Sequence, residues 1–259
     1  MLLALFIGIV TLVTTAGVVT RRFWLPAGIN QHAAAFDSWL GIVIAILGIA
    51  FLGAQIALAW VIWRHRDRGQ RAVYWDGSPK FEVFSIAIVT VLFLGASVGG
   101  ARLWTGVHMS DQPAALRIEV LAKQFAWNFR YAGPDGRFGR TKLDLRNDAT
   151  GNPFGIDDTD PVAADDVSNA ALRVPAGQLI ELRLNAQDVI HSFFVRELRL
   201  KQDAVPGMEI PLRFIAAKPG TYEIACAELC GLGHHQMRSV LIVLPPAEFT
   251  AWLAQSKNP

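Results

Sequence analysis

From Trp39 to Trp63 the chain runs for 25 residues without a charged side chain. A lipid environment cannot hydrogen-bond a backbone, so a run of this kind must satisfy its own N–H and C=O groups as a helix. About 20 apolar residues are enough to cross a bilayer. Trp39, Trp60 and Trp63 stand near the ends of the run, where interfacial aromatics sit. A second uncharged run, Val83 to Ala101, is bracketed by Glu82 and Arg102, and Ser78-Pro79 ahead of it has the form of an N-cap followed by proline in the first turn. Met1 to Thr20 is a third uncharged apolar stretch. It lacks the basic start of a signal peptide, so a third span is the preferred reading. Spans are expected at about 1–20, 39–63 and 82–103.

Charge orients these spans. The loop between the second and third carries Arg64, Arg66, Arg68, Arg71 and Lys80 against Asp67 and Asp76. The positive-inside rule places it in the cytoplasm. Everything after Arg102 then lies outside a bacterial-type cytoplasmic membrane, in the periplasm. Arg21 and Arg22 fall on the outer side, a mild departure from the rule. Residues 1–110 hold 8 Lys/Arg and 4 Asp/Glu, whereas 111–259 hold 16 and 18. This shift predicts a membrane anchor over 1–110 and an external domain over 111–259, with the boundary near Ser110. A net charge of +2 excludes a polycation that binds nucleic acid in bulk. Two cysteines exclude a disulfide-dense scaffold, and without CxxCH no haem is attached covalently.

The external part alternates with period two in Leu116 to Val120 and Ile180 to Leu184. Phe125 to Tyr131, Ile210 to Ile215, Thr221 to Ala225 and Ser239 to Leu244 are further strand candidates. Turn signals separate them: Pro134-Asp135-Gly136, Pro175-Ala176-Gly177, Pro206-Gly207 and Pro219-Gly220. Many short strands of this kind predict an all-β sandwich or barrel. Glu248 to Ser256 has the composition of a closing helix. Residues 144–166 stand apart, with seven Asp and one Arg among Gly, Asn and Pro. They read as a loop. A solvated acidic insertion is the plain reading; a docking patch for a basic electron donor and a hard-cation site built from Asp oxygens are the sharper ones.

The segment that carries chemistry is Cys226-Ala227-Glu228-Leu229-Cys230-Gly231-Leu232-Gly233-His234-His235-Gln236-Met237. Thiolate, imidazole and thioether together are a soft ligand set that suits copper better than Mg²⁺ or Ca²⁺. A structural disulfide would persist in an external domain, but it leaves the histidine and methionine unexplained. Structural zinc does not favour thioether sulfur. A mononuclear blue-copper site uses one cysteine, whereas two in one loop are close enough to bridge two metals.

This segment resembles the dinuclear copper (CuA) loop of cytochrome c oxidase subunit II, whose pattern C-x-E-x-C-x₃-H-x₂-M is met at every spacing. Asp188-Val189-Ile190-His191-Ser192-Phe193 is similar to the stretch that supplies that family's remote histidine, and Leu200 to Met208 resembles the family too. The resemblance covers about residues 35–245. It implies N-terminal transmembrane helices followed by an all-β cupredoxin-like barrel. By position it makes Cys226 and Cys230 the bridging thiolates, gives His191 and Met237 to one copper, and gives His234 and the Glu228 carbonyl to the other. Taking His235 instead of His234 would break the family spacing. The Glu228 carboxylate in the family also reaches a magnesium or manganese ion at the interface with subunit I. Electrons in the family enter at a surface tryptophan. Here Phe125 occupies that position in Gln124-Phe125-Ala126-Trp127, and Trp127 matches a second aromatic. Ordinary core packing at period two explains both aromatics equally well. Glu82 matches a glutamate at the mouth of a proton path; a carboxylate favoured by the helix dipole is the plain alternative.

The implied function is that of the electron-accepting subunit of a haem–copper oxidase, an oxidoreductase and translocase complex. It takes electrons from a periplasmic donor such as cytochrome c and passes them to subunit I, where O₂ is reduced to water, with subunit III as a further partner. A complete ligand set argues against a quinol oxidase, whose subunit lacks the metal. One rival is the copper-bearing small subunit of a related nitric oxide reductase, which this motif does not separate. Another is a membrane-anchored copper-delivery protein with C-x₃-C and a distant histidine; its thioredoxin-like βαβ pattern does not fit these strands.

Overall fold

The structure is a computed structural model in which residues 2–20, 24–69, 71, 73, 74, 76–108 and 113–256 are described. Arg21, Arg22 and the expected boundary near Ser110 lie outside the described residues. The chain forms two compact units. One takes in Met1–Trp24 and Ala35–Gly106, the other Leu25–Ala34 and Val107–Pro259.

The first unit is helical. Helices α1 (Leu2–Val19), α2 (Ala33–Arg64) and α3 (Pro79–His108) are each long and apolar enough to cross a membrane. The last two have 32 and 30 residues. At about 1.5 Å per residue both exceed a hydrocarbon core about 30 Å thick, so they run past their uncharged stretches. Proline at the first position of α3 costs no hydrogen bond, because that N–H has no partner within a helix. The Ser78 carbonyl accepts the Glu82 N–H at 3.0 Å and starts the ladder. A Cβ on Gly99 of α3 would lie 2.2 Å from the Trp39 ring of α2, so glycine is what admits the indole there.

The second unit is a β-sandwich of ten strands: β1 Leu116–Lys123, β2 Ala126–Tyr131, β3 Val167–Asn169, β4 Leu172–Pro175, β5 Leu179–Ala186, β6 His191–Val195, β7 Leu200–Ala204, β8 Ile210–Ile215, β9 Gly220–Cys226 and β10 Arg238–Leu244. They form two five-stranded sheets, ordered β3-β2-β1-β5-β8 and β4-β10-β9-β6-β7. The β1/β5 and β4/β10 pairs are parallel and the rest antiparallel. Period two fills the core from both sides. Ile118, Val120, Phe129, Tyr131, Leu182, Leu184 and Phe214 come from the first sheet, and Leu172, Val174, Phe193, Val195, Ile224 and Leu241 from the second. Helix α4 (Pro246–Gln255) closes the chain and sets Phe249 and Trp252 against Tyr131, with ring centroids 6.4 and 5.1 Å away. This is the cupredoxin-like architecture that the resemblance implied.

Residues 25–34 belong to this β unit. Asn30 bridges Ala216, and its side-chain amide donates to the Leu198 carbonyl at 3.1 Å. Ile29 is a buried member of the core. Nothing in Leu25-Pro26-Ala27-Gly28 signals this placement; it depends on the partners at 197–198 and 215–217.

The 144–166 insertion is not uniformly solvated. Asp157, Asp165 and Asp166 turn inward while Asp144, Asp148 and Asp158 stay exposed. Asp157 faces Lys142 at 2.9 Å and Arg140 at 3.3 Å. Its hydrogen bonds from Thr159 and Lys142 hold its carboxyl far below the usual range. Asp166 pairs with Arg130, which is buried and also reaches Glu119 at 2.9 Å and the Gly139 carbonyl at 2.5 Å. Asp157 and Asp166 are thus met by cationic side chains, whereas Asp165 Oδ2 accepts the Asp135 N–H at 3.1 Å. A Cβ on Gly155, at φ +70, would fall 2.0 Å from the Lys142 carbonyl, so the insertion closes on itself only with glycine there.

Candidate metal centre

Three connections at one end of the sandwich, β1–β2, β5–β6 and β9–β10, build the site. The end of β9 and the β9–β10 connection, residues 226–237, supply the sulfur atoms, and the last turn (His234–Gln236) is a short 3-10 helix. Cys226 ends β9 and Met237 immediately precedes β10. The antiparallel pairing of Arg238 with Ala225 brings the two ends together, and the Cys226 N–H donates to the Met237 carbonyl at 3.1 Å. His191 opens β6, which lies beside β9 with Phe193 opposite Cys226. Ladder register alone thus places a histidine remote in sequence beside the cysteine loop.

The donor atoms converge. His191, Cys226 and Cys230 present one ligand atom each, all within 4.8 Å of one another, and they are the metal-competent group of His, Cys, Asp and Glu side chains among the described residues. The two sulfurs lie 3.9 Å apart, as free thiols. Around Cys230 Sγ stand Met237 Sδ at 3.7 Å and His234 Nδ1 at 3.6 Å. The Glu228 carbonyl lies 3.2 Å from Cys226 Sγ. Every ligand position carried over by the motif is therefore in one cluster. His235 is exposed beside it, and its carbonyl accepts from Arg238 Nε at 3.3 Å.

His191 is fully buried, and its Nδ1 has no hydrogen-bond partner. Its other nitrogen, Nε2, lies 2.8 Å from Asp188 Oδ1. An ionised carboxylate only accepts, so the neutral ring carries its proton on Nε2 and leaves the Nδ1 lone pair free. A buried, unpartnered imidazole nitrogen among sulfur donors is the arrangement a soft metal completes, and the residues fit a copper pair. Burial, and then the neighbouring Cys226 sulfur, push the Cys230 thiol up to about 11. Metal uptake must therefore displace its proton. Burial works against the Asp188 charge too, but hydrogen bonds from His191 and from the Gln124 and Val189 N–H groups outweigh it and hold that carboxyl below its ordinary value.

The two aromatic candidates part company. Phe125 keeps 38% of its surface exposed, and its ring lies against the metal loop. A Cβ on Gly233 would fall 2.4 Å from Phe125 Cδ2, and one on Gly231 3.2 Å from the ring, so these two glycines make the seat. Trp127 is buried, edge-on to His191 with centroids 6.2 Å apart and to Phe193 at 5.6 Å. It lies inside the sandwich. Glu228 exposes its side chain next to the cluster, and Glu82 is exposed in the first turn of α3. Sequence reasoning missed Gln124 and the role of Asp188. The sequence signals available were the aspartate three residues before the histidine and the amide directly before the aromatic turn.

The chain matches the family described as cytochrome c oxidase subunit II, periplasmic domain, over residues 116–244. It is 35% identical over 245 residues to the alternative cytochrome c oxidase subunit 2 of Bradyrhizobium diazoefficiens, covering 91% of this chain and 84% of that protein. It is 30% identical over 280 residues to the cytochrome c oxidase subunit 2 of Thermostichus vulcanus, covering 94% and 84%. Among solved structures, the periplasmic domain of subunit II of cytochrome oxidase from Bradyrhizobium japonicum is similar at 28% identity and a TM-score of 0.42, over 57% of this chain and 97% of that one.

Proposed function

The chain belongs to the cytochrome c oxidase subunit II family, and from that membership and the site we propose that it accepts electrons from a periplasmic donor for a haem–copper oxidase. The observation that carries this reading is the convergence of two thiols, two imidazoles, a thioether and a backbone carbonyl, with the His191 Nδ1 left without a hydrogen-bond partner. A dinuclear copper group bound there supplies a one-electron acceptor shared across two thiolates.

The chain's own residues do the rest. Cys226 and Cys230 would hold the group with their thiolates, together with His191 and Met237 and with His234 and the Glu228 carbonyl. The sandwich fixes these donors on two adjacent strands of one sheet and on the loop between β9 and β10, so they need not rearrange as charge comes and goes. Phe125 is the surface aromatic through which an electron from cytochrome c reaches the loop. The exposed Glu228 carboxylate serves a magnesium or manganese ion at the contact with subunit I, where O₂ is reduced. Glu82 opens a proton path on the cytoplasmic side, and subunit III completes the assembly. Chain connectivity supports the sidedness. Residues 25–34 and the chain after α3 both enter the β unit. If each helix crosses once, these two connections share the outer face and the arginine-rich loop is left inside.

The test is copper content and electron paramagnetic resonance on the full chain in detergent. Two coppers per chain sharing one unpaired electron are expected. One localised copper, or none, overturns the reading. Oxygen consumption with reduced cytochrome c by the complex purified through this chain then separates an oxidase from a nitric oxide reductase.

A further inference from the structure

The three loops at the metal end of the sandwich are joined by side chains that ligate nothing. Asp188 Oδ1 takes His191 Nε2 at 2.8 Å and the Val189 N–H at 2.7 Å, while its Oδ2 takes the backbone N–H of Gln124 at 2.7 Å. The Gln124 side-chain Nε2 then donates to the carbonyl of Cys230 at 2.5 Å. Gln124 is also the residue directly before Phe125, whose ring rests on Gly231 and Gly233. The β1–β2 turn, the β5–β6 loop and the β9–β10 loop are therefore held by one chain of hydrogen bonds running His191–Asp188–Gln124–Cys230.

We propose that Asp188 and Gln124 form a positioning bracket that fixes the His191 ring and the Cys230 backbone relative to each other, and ties the Phe125 turn to both. This rests on the reading of the site as a copper centre. The chemistry follows from the donors. A carboxylate bound to Nε2–H makes the ring a stronger donor at Nδ1 and fixes its orientation. An amide N–H on the Cys230 carbonyl restrains the backbone that carries the thiol. Asp188 is well placed to serve both, because its side chain is 29% exposed and its oxygens are shared among three donors. Gln124 bonds to Asp188 through its backbone N–H and to the metal loop through its side chain.

The test uses the full chain in detergent, loaded with copper and then challenged with a chelator. Retained copper, the nitrogen hyperfine coupling of the two histidines and the midpoint potential are read together. Asp188→Ala is expected to retain copper about 10- to 100-fold less well and to change the coupling of one histidine. Asp188→Asn, which keeps an oxygen acceptor for Nε2–H, recovers part of that loss. Gln124→Leu leaves Asp188 and every ligand in place; it is expected to hold two coppers with a shifted potential, and it carries the test independently of how the Asp188 variants fold. If wild type holds two coppers, and Asp188→Ala and Gln124→Leu leave coupling, potential and retention unchanged, the bracket is refuted while the proposed function stands. A wild-type chain that fails to hold two coppers overturns the function and the bracket with it.

Discussion

Arg130 offers a sharp test of how the acidic insertion is held. Its guanidinium is buried between Asp166, Glu119 and the Gly139 carbonyl, with the Phe138 ring 5.2 Å from its carbon. Burial pushes both carboxyls up, and the arginine pulls them back without fully compensating. Arg130→Met keeps the volume and removes the charge. The Asp166 side chain has no exposed surface, so water cannot take over. Breaking a buried pair from one side costs about 3–5 kcal/mol. An independent bound agrees: keeping one carboxyl protonated at pH 7 against an ordinary value of 3.8 costs about 4.4 kcal/mol at 1.36 kcal/mol per pKa unit. The sign of the pH dependence follows. A carboxyl whose folded value is raised weighs against the fold above its unfolded value and stops doing so below it. The deficit is therefore full at neutral pH and closes as pH falls towards about 4. Hydrogen exchange on the amides of β1 and β2 measures it, since Glu119 lies on the first and Arg130 on the second. A deficit under about 1 kcal/mol, in the range of an exposed ion pair, or one that does not change between pH 7 and 4, would refute the account.

Other perturbations address the centre. Met237→Leu should keep both coppers and shift the potential, because a buried thioether 3.7 Å from Cys230 Sγ is removed without changing the fold of the loop; unchanged redox titration refutes the axial assignment. His235→Ala should leave the copper spectrum intact and His234→Ala should abolish the shared signal, and the reverse result shows that the wrong histidine was chosen. Gly233→Ala places a methyl within 2.4 Å of the Phe125 ring. Stopped-flow reduction by the donor should slow while copper content stays at two, and an unchanged rate removes Phe125 from the electron route.

The apolar runs determine three helices by themselves, because in lipid backbone satisfaction leaves no other structure. The loop motif fixes its chemistry by residue type and spacing, and the family resemblance carries the ligand set with it. Six strands are legible where alternation is clean or turns flank the run. The short β3 and β4 are not, since three and four residues give no period to detect, and β7 mixes its polar side chains in Leu200-Lys201-Gln202-Asp203-Ala204. Tertiary structure alone decides four matters. Residues 25–34 join the β unit because their hydrogen-bond partners lie more than 160 positions away. Asp157 and Asp166 of the insertion turn inward because Arg140 and Lys142 meet the first and Arg130 the second. Phe125 stays at the surface and Trp127 does not, because the turn before β2 lies on the loop glycines while Trp127 faces the core. The proton of His191 sits on Nε2 because Asp188 comes within 2.8 Å of it, a distance set by how the β5–β6 loop folds over the end of the sandwich. A sequence lists which donors a chain owns; which lone pair is left free for a metal depends on what every other polar atom nearby has already bound.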